Sequence, residues 1–189
     1  DYYGKTVLFD AVEGGNLVIL KDIINNINNI NVLDENHQTA LFRAVLKDDI
    51  SLATELVLHG INVNFLDKDG QNVLFNAILQ GVKNLPFIEL LIKKGINLNV
   101  VDNYHKNIIN ELLYVFDLQK NSITELEGKY KTITPEKEYM PLAFLFIEQG
   151  IEIDRADEYG KTTLQREIEN KNFTNIEFLL NCGADVNIC

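Results

Sequence analysis

Tryptophan is absent from this 189-residue chain, methionine occurs once, proline three times, and the two cysteines, Cys182 and Cys189, both lie in the last eight residues. Two cysteines do not make the multi-bridge framework of small secreted domains, so free thiols and a reducing, cytoplasmic compartment are expected. Long apolar runs are also missing. Nothing approaches the roughly 18 residues a membrane-crossing helix needs, and the opening residues show no signal-peptide pattern, so no membrane insertion is expected. Positive charge is scarce as well, with 17 Lys and Arg against 28 Asp and Glu and a net charge of −11. Nucleic acid is therefore an unfavourable partner, because its phosphates are neutralised by Lys and Arg.

What the chain does contain is itself, several times. Asp34 to Ala44 returns 33 residues later as Asp67 to Ala77, and a third copy, Asp1 to Ala11, precedes both. Repeats begin at Asp1, Asp34, Asp67, Asp102 and Asp157, which divides the chain into 1–33, 34–66, 67–101, 102–156 and 157–189. A 33-residue piece is too small to bury a core alone, so the repeats are expected to stack into one domain, 1–189.

Each repeat reads as two helices. Five residues into each comes Thr6, Thr39, Asn72, Asn107 or Thr162, side chains that accept a hydrogen bond from an orphan amide at a helix start. An apolar residue follows (Leu8, Leu41, Leu74, Ile109, Leu164), then Ala11, Ala44 and Ala77 in the first three repeats, where a small side chain lets helices approach. The second helix carries apolar pairs one turn apart: Ile19-Leu20 with Ile23-Ile24, Leu52-Ala53 with Leu56-Val57, Phe87-Ile88 with Leu91-Ile92, and Leu142-Ala143 with Phe146-Ile147. Pro86 and Pro141 share one register and read as start signals of that helix. Gly60, Gly95, Gly150 and Gly183 sit where it ends in a left-handed cap, followed four residues later by Asn64, Asn99 and Asn187 in three of them.

Asp-x-x-Gly-x-Thr-x-Leu followed by Ala, together with Leu-Leu-Asn-Cys-Gly-Ala-Asp-Val-Asn at 179–187, resembles the ankyrin repeat over nearly the whole chain. The resemblance implies an all-α solenoid of stacked helix-turn-helix units joined by hairpin loops. Departures matter. The Thr-Pro-Leu-His signature is here Thr-Val-Leu-Phe, Thr-Ala-Leu-Phe and Asn-Val-Leu-Phe, which keeps cap and core but should weaken local hydrogen bonding. Ile27 stands at the first capping-glycine position, and His37 and His105 replace the turn glycine, so these turns are expected to be strained or reshaped.

The fourth repeat carries about 22 additional residues near 118–139, read as a lengthened helix and a polar loop, with Thr134-Pro135-Glu136 capping a further short turn. Such insertions often lie on a binding face, the bland alternative being a tolerated excursion. In the last repeat Gln165, Arg166 and Glu167 read as the polar outer face of a terminal cap. The first repeat looks internal, and Asn187-Ile188-Cys189 ends in phase with another repeat, so the chain is expected to be a piece of a longer protein.

No catalytic constellation is legible. Gly4-Lys5-Thr6 and Gly160-Lys161-Thr162 mimic the end of a phosphate loop but lack the upstream glycine, Arg155 standing there in the later copy. His37 and His105 lie two repeats apart and cannot share a metal ion, and Glu55 with His59 is at best half a site. No cysteine–histidine or serine–histidine spacing suggests a nucleophile, and no cofactor is expected.

The resemblance implies a concave face, formed by hairpin tips and first helices, that binds another protein. The tips carry Tyr2, Tyr3, Glu35, Asn36, Lys68, Asp69, Asn103, Tyr104, Glu158 and Tyr159, and the groove-facing helix positions are Asp10, Arg43, Asn76, Glu111 and Arg166. Tyr and Arg are the types that dominate interface energetics. The chain is expected to be a monomeric, noncatalytic interaction module. Alternatives are a targeting or regulatory domain of a larger enzyme, or an effector delivered into a host cell. By resemblance, loop asparagines such as Asn64 or Asn99 are also candidates for hydroxylation.

Overall fold

A computed structural model describes residues 7–81, 84–124 and 135–188. Among them are ten helices and no strand. The chain divides into two compact bodies, Asp1–Asn103 and Tyr104–Cys189.

The N-terminal body contains α1 (Val7–Gly14), α2 (Leu17–Asn26), α3 (Ala40–Leu46), α4 (Ile50–Leu58), α5 (Val73–Leu79) and α6 (Leu85–Lys93). Helices of seven to ten residues are marginal alone, so packing must hold them. The first helices α1, α3 and α5 lie side by side, as do α2, α4 and α6. Leu8, Leu41 and Leu74 are buried at the matching positions, and Ala11, Ala44 and Ala77 are buried where small residues permit close approach. Phe9, Phe42 and Phe75, which replace the signature histidine, are fully buried too. Each such ring contributes about 2–3 kcal/mol of apolar burial in place of a local hydrogen bond.

Among the described residues capping follows the sequence with one exception, and Thr6 lies outside them. Asn72 accepts from the Leu74 amide at 3.2 Å, and Thr162 forms a full capping box with Gln165. Asn107 and Asn110 exchange bonds of 2.9 and 3.0 Å at the start of α7. Thr39, expected to do the same, makes no side-chain cap bond, and its buried hydroxyl has no partner among the described residues. Its own carbonyl takes the Phe42 amide at 3.1 Å, as the Asn72 carbonyl takes the Phe75 amide at 3.2 Å.

Left-handed residues punctuate both loops of a repeat. Gly60, Gly95, Gly150 and Gly183 end second helices with φ between 79° and 86°, and His37 and His105 adopt φ of 59° and 61° in the hairpin tips. Ile27 avoids that conformation: its φ of −89° and ψ of 147° carry the chain out extended. The turn between paired helices is also left-handed, at Gly15, Asp48, Gly81 and Lys171. Asp48 is of a type that tolerates this conformation, whereas Lys171 carries no sequence signal for it. In the fourth repeat the equivalent residue is Phe116, for which positive φ is costly, and the helix runs straight through.

The C-terminal body contains α7 (Ile108–Thr124), α8 (Pro135–Glu148), α9 (Thr163–Glu169) and α10 (Phe173–Asn181). Pro141 does not start its helix; it lies inside α8, which begins at Pro135. The extra upstream residues bring Tyr139 into the core, fully buried, edge-on to Phe116 at 6.4 Å, and that packing offsets the backbone bond proline forfeits. Phe116 also meets Phe178 at 5.2 Å. Residues 125–134 of the 118–139 insertion lie outside the described residues.

Candidate interaction surface

Three hairpins, those of Asp34, Asp67 and Asp157, are built around their first aspartate. Asp34 Oδ1 accepts from the amides of Asn36 and Gln38 at 2.8 and 3.0 Å, while Oδ2 accepts from Arg43 at 3.1 Å. Asp67 Oδ1 repeats the pattern with Asp69 and Gln71, and Asp157 Oδ1 with Tyr159 and Lys161. A glutamine then ties one repeat to the next: Gln38 donates to Asp67 Oδ2 at 3.2 Å and Gln71 to Asp102 Oδ2 at 2.6 Å. Burial opposes ionisation of Asp157, but the Arg166 guanidinium and the amides of Lys161 and Tyr159 hold its carboxyl below the usual value.

In the N-terminal body the tips are also joined through their backbones. Lys68 N–H donates to the Asn36 carbonyl at 3.1 Å, Asn103 N–H to Asp69 at 2.8 Å, and the Asn103 side chain to the Lys68 carbonyl at 2.9 Å. A second relay runs through the loops after the second helices. Asn31 Oδ1 accepts from Asn62 N–H at 2.8 Å and Asn64 Oδ1 from Asn97 N–H at 2.7 Å, while Asn62 and Asn97 each accept from the amide two residues on. The C-terminal body uses Asp154 and Asp185 in the same way, at 3.0 Å. Much of the chain's asparagine is thus structural.

On this scaffold Asp10, Glu35, Asn36, Lys68, Asp69 and Asn103 of the N-terminal body are exposed. So are Tyr104, Glu158 and Tyr159 of the C-terminal body, the tyrosines at 63% and 73%. Arg166 lies 5.5 Å from the Tyr159 ring centroid while pairing with Asp157, so that ring is held rather than loose. His105 and Glu158 pair at 3.1 Å beside the two tyrosines. Arg43 is half-buried on Asp34. Asn76 and Glu111, placed by sequence on the groove-facing side, are buried at 9% and 7% exposure. Tyr2 and Tyr3 lie outside the described residues.

Asp10, Arg43 and Asn76 recur 33 residues apart on α1, α3 and α5, so in the N-terminal body they form one row across three adjacent helices. Glu167 departs from its expected role. Instead of facing solvent it accepts from buried Asn175 at 3.1 Å, and Asn175 also donates to Asp117 at 3.0 Å. Burial first, and then the Asp117 carboxylate, push the Glu167 carboxyl above its usual value despite its amide bonds.

The phosphate-loop lookalike at 160–162 is a turn glycine, an ion pair from Lys161 to Glu169, and a helix cap. Glu55 pairs with both Lys21 and His59, each at 3.2 Å. Among the described residues no group of three or more His, Cys, Asp or Glu converges as a metal site, and no helix is long and apolar enough to cross a membrane.

A crystal structure of an ankyrin repeat domain from Acinetobacter baumannii AYE is similar to this chain, with a TM-score of 0.71 at 22% identity, covering 98% of this chain and 85% of its own. No curated protein matches. The sequence profile of ankyrin repeats matches three copies across residues 8–102, half of the chain. The chain belongs to the ankyrin-repeat family.

Proposed function

We propose that this chain is a noncatalytic module that binds another protein with its hairpin tips and the first-helix face beside them. Ankyrin repeats are in general protein–protein interaction modules, and their fold is typically noncatalytic. The observation that carries the reading is the pair of exposed tyrosines, Tyr104 and Tyr159, the second on a tip whose backbone Asp157 fixes from below. A large aromatic held in water on a rigid loop has already lost most of the freedom that binding would cost it. The net charge of −11 favours a protein over a nucleic acid, and buried, free Cys182 suits a reducing compartment.

Affinity capture from cell lysate tests this, comparing the wild type with the triple variant Arg43→Glu, Tyr104→Ala, Tyr159→Ala, its folding checked by circular dichroism. A protein retained by the wild type and lost by the folded variant supports the tip and first-helix surface. Equal retention moves binding to another face and refutes the assignment.

A further inference from the structure

We infer that copies of this chain associate head to tail, the open face of α9 and α10 in one copy packing on the open face of α1 and α2 in the next. Neither face includes a tip residue.

A stacked repeat has one face toward the repeat before it and one toward the repeat after it, and burial tells them apart. The residue six after the repeat aspartate is Ala40, Val73 or Ile108 in the second to fourth repeats, all fully buried, whereas Val7 in the first is 56% exposed. Eight residues before the capping position stand Leu52, Phe87 and Leu142, each at 2% or less, whereas Ile19 is 50% exposed. The opposite face shows the same break at the last repeat. Eleven residues after the aspartate, Val12, Val45, Ile78 and Leu113 are buried at 3% or less, and Ile168 is 53% exposed. Val57 and Val63 are buried in the second repeat, while their counterparts Leu180 and Val186 are exposed. Val7 and Ile19 are thus the backward half of a repeat contact, and Ile168, Leu180 and Val186 the forward half.

The asparagine relay ends in matching halves. Within each body its acceptor lies four residues past the capping position, at Asn31, Asn64 or Asp154, and its donor is the amide two past that position in the next repeat, at Asn62, Asn97 or Asp185. Asn187 occupies the acceptor position of the last repeat and Asn29 the donor position of the first. The Asn29 loop is already shaped for that role: its Oδ1 takes the Asn31 amide at 2.8 Å, as Asn62 and Asn97 take those of Asn64 and Asn99.

A second copy is the occupant these halves specify. An unrelated apolar surface could cover the exposed side chains but has no cause to present an amide at relay spacing, whereas each copy carries both halves in the register that already joins its own repeats. Because the two faces differ, the contact is heterologous, and growth continues beyond a dimer unless a ring closes. Charge opposes it. Each copy carries −11, so association depends on apolar burial and strengthens as salt screens the repulsion.

Sedimentation velocity from about 10 μM to about 1 mM, a range that reads weak affinities, tests this. The average mass should climb past twice 21.5 kDa, and further in high salt. Ile19→Glu and Ile168→Glu, both at exposed positions and checked for folding by circular dichroism, should each stay monomeric alone. Their equimolar mixture should form a dimer and stop there, because each variant keeps the face the other has lost. Val7→Glu and Leu180→Glu serve if either does not fold. Asn187→Ala should weaken association roughly threefold to tenfold, the worth of one net hydrogen bond. A chain that stays monomeric at the top of the range overturns the inference, as does a folded Glu variant that still self-associates, a mixture that does not pair, or association that weakens with salt.

Discussion

Truncating Asp34 tests the hairpin design most directly. Its carboxylate receives two backbone amides and one guanidinium within 2.8–3.1 Å, with a side chain only 1% exposed. A hydrogen bond to a charged group contributes about 1.5–3 kcal/mol net. The three share one carboxylate, and the amides of exposed Asn36 and half-buried Gln38 regain water when it is removed, so the total falls well short of their sum. Asp34→Ala should therefore cost about 3 kcal/mol, which for a chain this size lowers Tm by roughly 6–12 °C. Asp34→Asn keeps an oxygen for the amides but turns an NH₂ group toward Arg43, and should cost about half as much. Urea denaturation measures both. Because repeats unfold partly one by one, hydrogen exchange at the Asn36 and Gln38 amides provides the local readout, and both should exchange faster in the Ala variant. An Asp34→Ala loss under about 1 kcal/mol, or an Asn variant as damaged as Ala, would refute the reasoning.

Glu167→Gln should change the pH dependence of stability. Burial raises the wild-type carboxyl above its unfolded value of 4.5, so its contribution is fully present below that value and lost as pH rises through the folded pKa. The variant should lack this decline and be the more stable at neutral pH, as urea midpoints on either side of the window would show. Gly70→Ala and Gly160→Ala both place a side chain at positive φ, but only the first drives its Cβ to 2.8 Å from Asn103 Oδ1. About 2 kcal/mol is expected at Gly70 and about 1 at Gly160, compared by thermal denaturation, and equal losses would discount the Asn103 contact.

The periodic features were legible because each is local: Leu41 and Leu74 recur in phase, and Gly60 and Gly95 mark helix ends whatever surrounds them. What escaped was set by neighbours. Pro141 looked like Pro86, yet Tyr139 packing on Phe116 carried the helix upstream past it. Asp48 and Lys171 adopt positive φ because a short turn between packed helices demands it. Glu167 is polar, and nothing in its own sequence shows that Asn175 lies within 3.1 Å. The burial of Asn76 and Glu111 likewise depends on adjoining helices. The recurring Asp34, Asp67, Asp102 and Asp157 were a signal in view: they marked repeat starts, and their spacing already held the turn chemistry.

The asparagine relay after the second helices has a consequence for how such a chain lengthens. From capping glycine to the next aspartate there are always seven steps, Gly60 to Asp67, Gly95 to Asp102 and Gly150 to Asp157, whereas Asp to Gly takes 26, 28, 48 and 26. Side chains of fixed reach cross from one loop to the next, so a single extra residue there would uncouple donor from acceptor. The turns between paired helices are bridged as well, by Lys47 to the Val12 and Glu13 carbonyls and by Asn84 to Asp48, yet it is between Asp and Gly that the longer repeats take their extra residues. Insertions are confined to one rim of the repeat, while the other is metered, and a tip can keep its place however much chain accumulates behind it.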